Sequence, residues 1–417
     1  MLAAEPLYVL VDTAVVGHLG SDQLAALALG GGLLGLVAWL GTVLAYGTTG
    51  SAARLYGAGD RRAAVIDGVQ ASWLALIVGV VVALLAQVLA EPVARALAGD
   101  AEAAVARAAA DWLRIAALGA PGILLAMAGN GWMRGVQDLR RPVWYVLGAN
   151  VLSAALCPVL VYPLGLGLNG SAIANVVAQT LSGALFVRAL VVAGVPLAPH
   201  PKTLRRQLVV GRDLLVRGAA FQACFLSAAA VGARYGAATL AAHQVVLQLW
   251  MACALALDAV AIAGQSLIGA ALGGGDVPGA RRTARRLTVV GGWCGLGLAA
   301  VMAAGAFVFP ALFSADPAVR ERALVAWPWF VGMLPLAGLV FALDGVFIGA
   351  GDVRFLRNLT LVAALVFFLP AIWLSYRLDL GIGGLWAALT VFIVVRLVGL
   401  AVRVAGGRWA VAGAPSG

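Results

Sequence analysis

Four carboxylates stand inside long apolar stretches of this sequence: Glu5, Asp12, Asp258 and Asp344. A charge in such a stretch is costly to bury, and it is kept where it pairs, binds an ion or moves protons. Glu5 and Asp12 are seven residues apart, close to two helical turns, so they share one helix face. Two carboxyls so placed could load and unload a proton or a cation. The bland readings are a helix-end Glu beside Pro6 and a satisfied interior Asp. Asp344 sits in Phe341-Ala-Leu-Asp-Gly345. Gln244, Gln248, Asp258 and Gln265 fall on one stripe, because spacings of four and seven return close to the same face. That stripe suits a wet cavity or helix packing, and for Asp258 packing is favoured.

Other chemistry finds little support. Cys157, Cys224, Cys253 and Cys294 lack metal-ligand spacing. Gly273-Gly-Gly275 is not followed by the Lys and Ser/Thr of a phosphate loop. Three scattered histidines give no clustered catalytic set, so an enzyme is not expected, and neither is a cofactor. His243 reads as a helix-start residue near the headgroups, and the tryptophans as interface anchors.

The elements that would position the carboxylates follow from composition. Hydrophobic residues make up 63% of 417 positions, charged residues 11%, and mean hydropathy is +1.00. A soluble domain has roughly a quarter charged residues, so the solvent that fits is a bilayer. The basic excess sits in short connectors, which argues against nucleic acid. Apolar blocks of about 20 residues recur, the length of a spanning helix. They lack the alternation of barrel strands, so helices are expected near 2–17, 24–48, 63–90, 108–133, 143–163, 170–193, 214–233, 239–271, 286–312, 323–350, 356–376 and 382–404. The first is short for a crossing, which suggests that its beginning precedes Met1.

Two sequence patterns organise these helices. Twenty of the 28 basic residues fall after even-numbered helices or in the tail, which puts those connectors and both termini in the cytoplasm. The second pattern is a repeat. Gly20-Ser-Asp-Gln-Leu-Ala-Ala matches Gly236-Ala-Ala-Thr-Leu-Ala-Ala at an offset of 216, as Tyr56-Gly-Ala-Gly-Asp60 matches Leu272-Gly-Gly-Gly-Asp276. Asp100 matches Asp316 at the same offset. Gly135-Val-Gln-Asp-Leu-Arg140 matches Gly349-Ala-Gly-Asp-Val-Arg354, and Leu166-Gly-Leu-Asn-Gly170 matches Leu380-Gly-Ile-Gly-Gly384, both at 214. The expectation is an all-α polytopic membrane protein with about 12 helices in two parallel six-helix repeats. The N-lobe is 1–193, a cytoplasmic linker 194–213, the C-lobe 214–404 and a cytoplasmic tail 405–417. Parallel-repeat transporters bind substrate near the midplane and alternate access by rocking. By the offset of 214, Asn130 is the partner of Asp344, and both are candidate cavity residues, an interhelical hydrogen bond being the competing role for Asn130.

Glu5-Pro-Leu-Tyr-Val-Leu-Val-Asp-Thr-Ala-Val-Val-Gly-His-Leu-Gly20 resembles the first helix of MATE (multidrug and toxic compound extrusion) transporters, in their DinF-like branch. Arg134-Gly-Val-Gln-Asp-Leu-Arg-Arg-Pro142, Ala241-Ala-His-Gln244 and the stretch Phe341–Asp352 resemble that branch too. The resemblance implies export of organic cations or drugs, by a multi-pass protein of the inner (plasma) membrane, in exchange for H⁺ or Na⁺. We expect it to act as a monomer. It places Asp12 at the helix-one coupling aspartate, with Glu5 beside it, and Asn130 at a polar N-lobe position. Ser153 and Cys157 stand where the family often has Asn and Asp, so the N-lobe site lacks a carboxylate. Gln222 stands where the NorM-like branch uses a Glu for sodium. Na⁺ prefers hard oxygen ligands, so H⁺ is expected here. The expected C-lobe cavity set is Asp344, Asp258, Gln222 and Gln265. A lipid-linked sugar flippase is the alternative. It should line its cavity with several Arg or Lys, and only Arg396 reads as mid-span.

Overall fold

The computed structural model describes residues 4–98 and 103–413, with side chains from Leu10 onward. No strand occurs among the described residues. The helices are α1 (Ala4–Gly17), α2 (Ser21–Gly57), α3 (Arg61–Ala98), α4 (Ala103–Gly135), α5 (Arg140–Val161), α6 (Gly167–Val192), α7 (Pro201–Arg234), α8 (Ala237–Gly273), α9 (Val277–Ala304), α10 (Pro317–Gly349), α11 (Val353–Arg377) and α12 (Gly381–Ala405). Eleven of them, α2 to α12, are long and apolar enough to cross a bilayer. Large apolar side chains such as Leu84, Val88, Trp293 and Val402 point outward, as they would toward lipid. This is an all-α, polytopic membrane protein.

Several boundaries differ from the expected ones. The ninth helix ends at Ala304, and Phe309–Phe313 forms a separate short turn of helix, because Gly305 closes α9. Helix α7 starts at Pro201, so most of the basic stretch 194–213 is helical. Proline at a helix start loses no hydrogen bond, since that N–H has no intrahelical acceptor anyway. In α11, Ala363–Phe368 widens into a π turn just before Pro370, whose missing N–H breaks the regular ladder.

The Gly-Asp connectors that marked the repeat have a shared mechanical role. Gly59 and Gly275 adopt positive φ (84° and 79°), a backbone state that favours glycine, and thereby end α2 and α8. The following Asp60 and Asp276 accept the backbone N–H of Ala63 and Gly279, capping the next helix.

The chain forms two compact units: Met1–Tyr56 with Asp60–Leu208, and Gly57–Gly59 with Val209–Ser416. In the first, α4 packs on α3 and α6, and α5 packs on α6 and α1. In the second, α10 packs on α8, α9 and α12. One crossing is built alike in both. A Cβ at Gly131 would lie 2.6 Å from the Ala45 carbonyl oxygen, and one at Gly345 would run into the Ala261 carbonyl. One turn on, Gly135 meets Ala52 and Thr49, and Gly349 meets Gln265. Small residues four apart let two helix backbones touch, the usual basis of close packing in membranes.

Candidate functional site

In the first unit, Asp12 is 5% exposed on α1 and collects donors from two other helices. Cys157 Sγ of α5 donates to Asp12 Oδ1 at 3.1 Å, and Ser171 Oγ of α6 donates to Oδ2 at 3.3 Å. Trp112 Nε1 of α4 donates in turn to Ser171 Oγ at 3.0 Å. Four helices thus converge on one carboxyl, with no cation paired to it among the described residues. Such a group can exchange a proton without breaking an ion pair. Glu5 has a side chain outside the described residues. Ser153 and Asn130 are buried, and Ser153 Oγ and Asn130 Oδ1 have no hydrogen-bond partner among the described residues. Ser171 and Trp112 were not singled out from sequence. Their signal is weak, because a lone Ser or Trp in an apolar helix is ordinary.

The second unit buries a different kind of centre. Asp344 of α10 accepts on Oδ2 from Arg217 of α7 at 2.5 Å and from Arg396 of α12 at 2.6 Å. Arg217 stands three residues into the seventh helix expected at 214–233, and the structure sets it deeper, because α7 already begins at Pro201; the side chain is nearly buried. The signal was the apolar run Leu214-Leu-Val216 directly before it. Two arginines, not Arg396 alone, therefore stand inside spans. Gln265 is buried with neither amide atom partnered among the described residues. Asp258 is half-buried and Gln222 exposed. Gln244 and Gln248 are exposed while Gln265 is buried, so the polar stripe of α8 divides between two environments.

His243, near the start of α8, is completely buried, its ring 5.8 Å from that of Trp386, with neither nitrogen partnered among the described residues. Two further buried carboxylates also went unforeseen. Asp67 pairs with Arg206 (2.8 Å) and accepts from Ser51, and Asp213 pairs with Arg357 (2.7 Å) and Arg212 (3.0 Å). No group of three or more potential metal ligands occurs among the described residues.

A bundle of spanning helices that buries carboxyls and arginines has the kind of interior that solute transporters use. The comparisons narrow that class. A sequence model of the family MatE matches residues 1–159 and 215–374. Escherichia coli DNA damage-inducible protein F is 34% identical over 407 residues, covering 95% of this chain and 87% of that protein. Arabidopsis thaliana Protein DETOXIFICATION 44, chloroplastic, is 33% identical over 413 residues, covering 95% and 78%. A solved structure described as the outward-facing conformation of a multidrug resistance MATE family transporter superposes with a TM-score of 0.86 at 22% identity, over 97% of this chain and 93% of that one. That likeness shows the fold. The chain belongs to the MatE family.

Proposed function

We propose that this transporter exports small amphipathic organic compounds, cationic ones among them, in exchange for protons, with Asp12 as the coupling residue. The observation that carries the reading is the Asp12 cluster. A buried carboxyl that meets a thiol and a hydroxyl, and no cation among the described residues, can be loaded by a proton from one side of the membrane and emptied to the other. Na⁺ would need several hard oxygen ligands, and Cys157 offers sulfur. The test is dye efflux from liposomes containing the purified protein, under proton and sodium gradients imposed separately. Efflux driven by the proton gradient and absent in Asp12→Asn is expected. Efflux driven by sodium alone overturns the proton assignment.

The flippase reading gains an arginine from Arg217, but Asp344 offsets one of the two charges. A single excess positive charge is a poor match for a diphosphate headgroup, so export of small compounds remains the better reading.

We place both termini and the 194–213 segment in the cytoplasm of a cell whose plasma membrane holds the protein. Membrane-impermeant thiol reagent applied outside should label Ser21→Cys and spare Thr203→Cys. The reverse pattern would invert the topology.

A further inference from the structure

The Arg217–Asp344–Arg396 cluster holds two positive charges against one negative. Both arginines give an Nη2–H to the same oxygen, while Asp344 Oδ1 and both Nε atoms are buried and have no hydrogen-bond partner among the described residues. Asp344 is the one carboxylate that either arginine pairs with among the described residues. A buried N–H on a charged group costs more without an acceptor than a neutral one does, and an unbalanced buried charge adds to that cost. The Phe221 ring lies 5.4 Å from Arg217 Cζ and 4.8 Å from Arg396 Cζ, and the Phe392 ring 5.7 Å from Arg396 Cζ. These rings attract the cations without neutralising them, and they give the cluster an apolar wall. Arg217 and Asp344 keep a small exposed edge, 9% and 6%, by which a ligand could enter.

We infer that this cluster is an anion-binding site, which takes the carboxylate or a similar singly charged oxyanion of an amphipathic compound. One such anion balances the charge and accepts the idle guanidinium N–H groups. Its apolar part lies against Phe221 and Phe392. The inference rests on reading the chain as an exporter of small organic compounds, and it adds an acidic group to the compounds it takes. A chloride ion would satisfy the same charge as a fixed counter-ion, so the experiment separates the two sources.

The purified protein is unfolded by heat in detergent, in a dilute sulfate buffer titrated with sodium benzoate, with sodium chloride, or with benzyl alcohol as the neutral control. A ligand of the folded state raises its unfolding temperature saturably. Benzoate should do so by several degrees and benzyl alcohol should not. Arg217→Gln leaves Arg396 and Asp344 as a neutral pair. It should therefore unfold no lower than wild type, yet lose the benzoate response, and Arg396→Gln should lose it as well. An Arg217→Gln protein that unfolds at lower temperature, with wild type indifferent to both salts, would make the cluster a structural ion pair only and overturn the site. A benzoate response that persists in both variants overturns it too. Saturable protection by chloride but not benzoate, lost in Arg217→Gln, supports the anion site and assigns it to an inorganic counter-ion. Dye efflux from liposomes is scored in parallel. Its failure beside an intact benzoate response counts against the exporter reading alone, and normal efflux without any anion response counts against this site alone.

Discussion

At one level of the first unit α4 presents Asn130, and Ser182 of α6 occupies the position that corresponds to Arg396. At the same level of the second unit stand Asp344 and Arg396, with Arg217 added from α7. The reverse holds where the first unit buries Asp12, Cys157 and Ser171. The repeat offsets put Ala228, Ala371 and Leu385 there in the second unit. Two copies of one backbone plan thus bury their charge in different places and in different company. Besides its Asp67–Arg206 pair, the first holds in Asp12 a carboxyl that meets neutral donors and no cation among the described residues, suited to exchanging a proton. The second holds a carboxyl locked by two guanidiniums, whose loss would leave positive charge behind. The two units share a helix crossing, where the glycines leave no room for a side chain, and differ at their interior polar positions.

The largest effect should come from the lone carboxyl. Asp12→Asn keeps the size of the side chain and removes its titration, so gradient-driven dye efflux should fall to the level of protein-free liposomes at equal expression. Wild-type efflux in this variant would move the coupling role elsewhere and end the contrast between the units.

Asp344→Asn should act on stability first. It leaves two buried guanidiniums without their counter-charge, a loss of about 3–5 kcal/mol by the usual cost of breaking a buried pair. Asn130→Ala, at the equivalent position, should cost about 1 kcal/mol. Thermal unfolding in detergent compares the two, and equal losses would mean the positions are energetically alike.

The shared crossings should respond alike. Gly131→Ala and Gly345→Ala each push a methyl group into a facing backbone carbonyl, for about 1–3 kcal/mol each. A neutral result at either would show that this crossing has slack. The smallest effect is expected from Ser171→Ala, which removes one donor from Asp12 and the acceptor of the Trp112 N–H, for about 1 kcal/mol. A larger loss of efflux than of stability would tie Ser171 to proton handling rather than to packing.

Much of the architecture is legible in the sequence. Apolar blocks of spanning length gave the helices, since a backbone in hydrocarbon must bond to itself. The Gly-Asp matches gave the repeat, because a glycine that ends one helix and an aspartate that caps the next leave a local signature. Asp12 and Asp344 stood out for the same reason, each a charge where lipid or protein must accommodate it. The boundaries were less legible. Pro201 begins α7 well inside a basic, proline-rich stretch, and only the packed helix shows that Arg217 lies well within it rather than at its start.

The sequence by itself determined that this chain crosses a membrane, that it does so with helices, and that two halves repeat. These follow from composition and short-range pattern, which act along the chain. Which residues share a site was decided by tertiary structure alone. Asp12 meets Cys157 and Ser171 across 145 and 159 residues, and Arg217 meets Asp344 across 127. The cost of a buried charge depends on what other helices bring to it, and no local pattern records that. His243 makes the same point from the other side, since only the packing around it revealed that this residue near a helix start is fully enclosed.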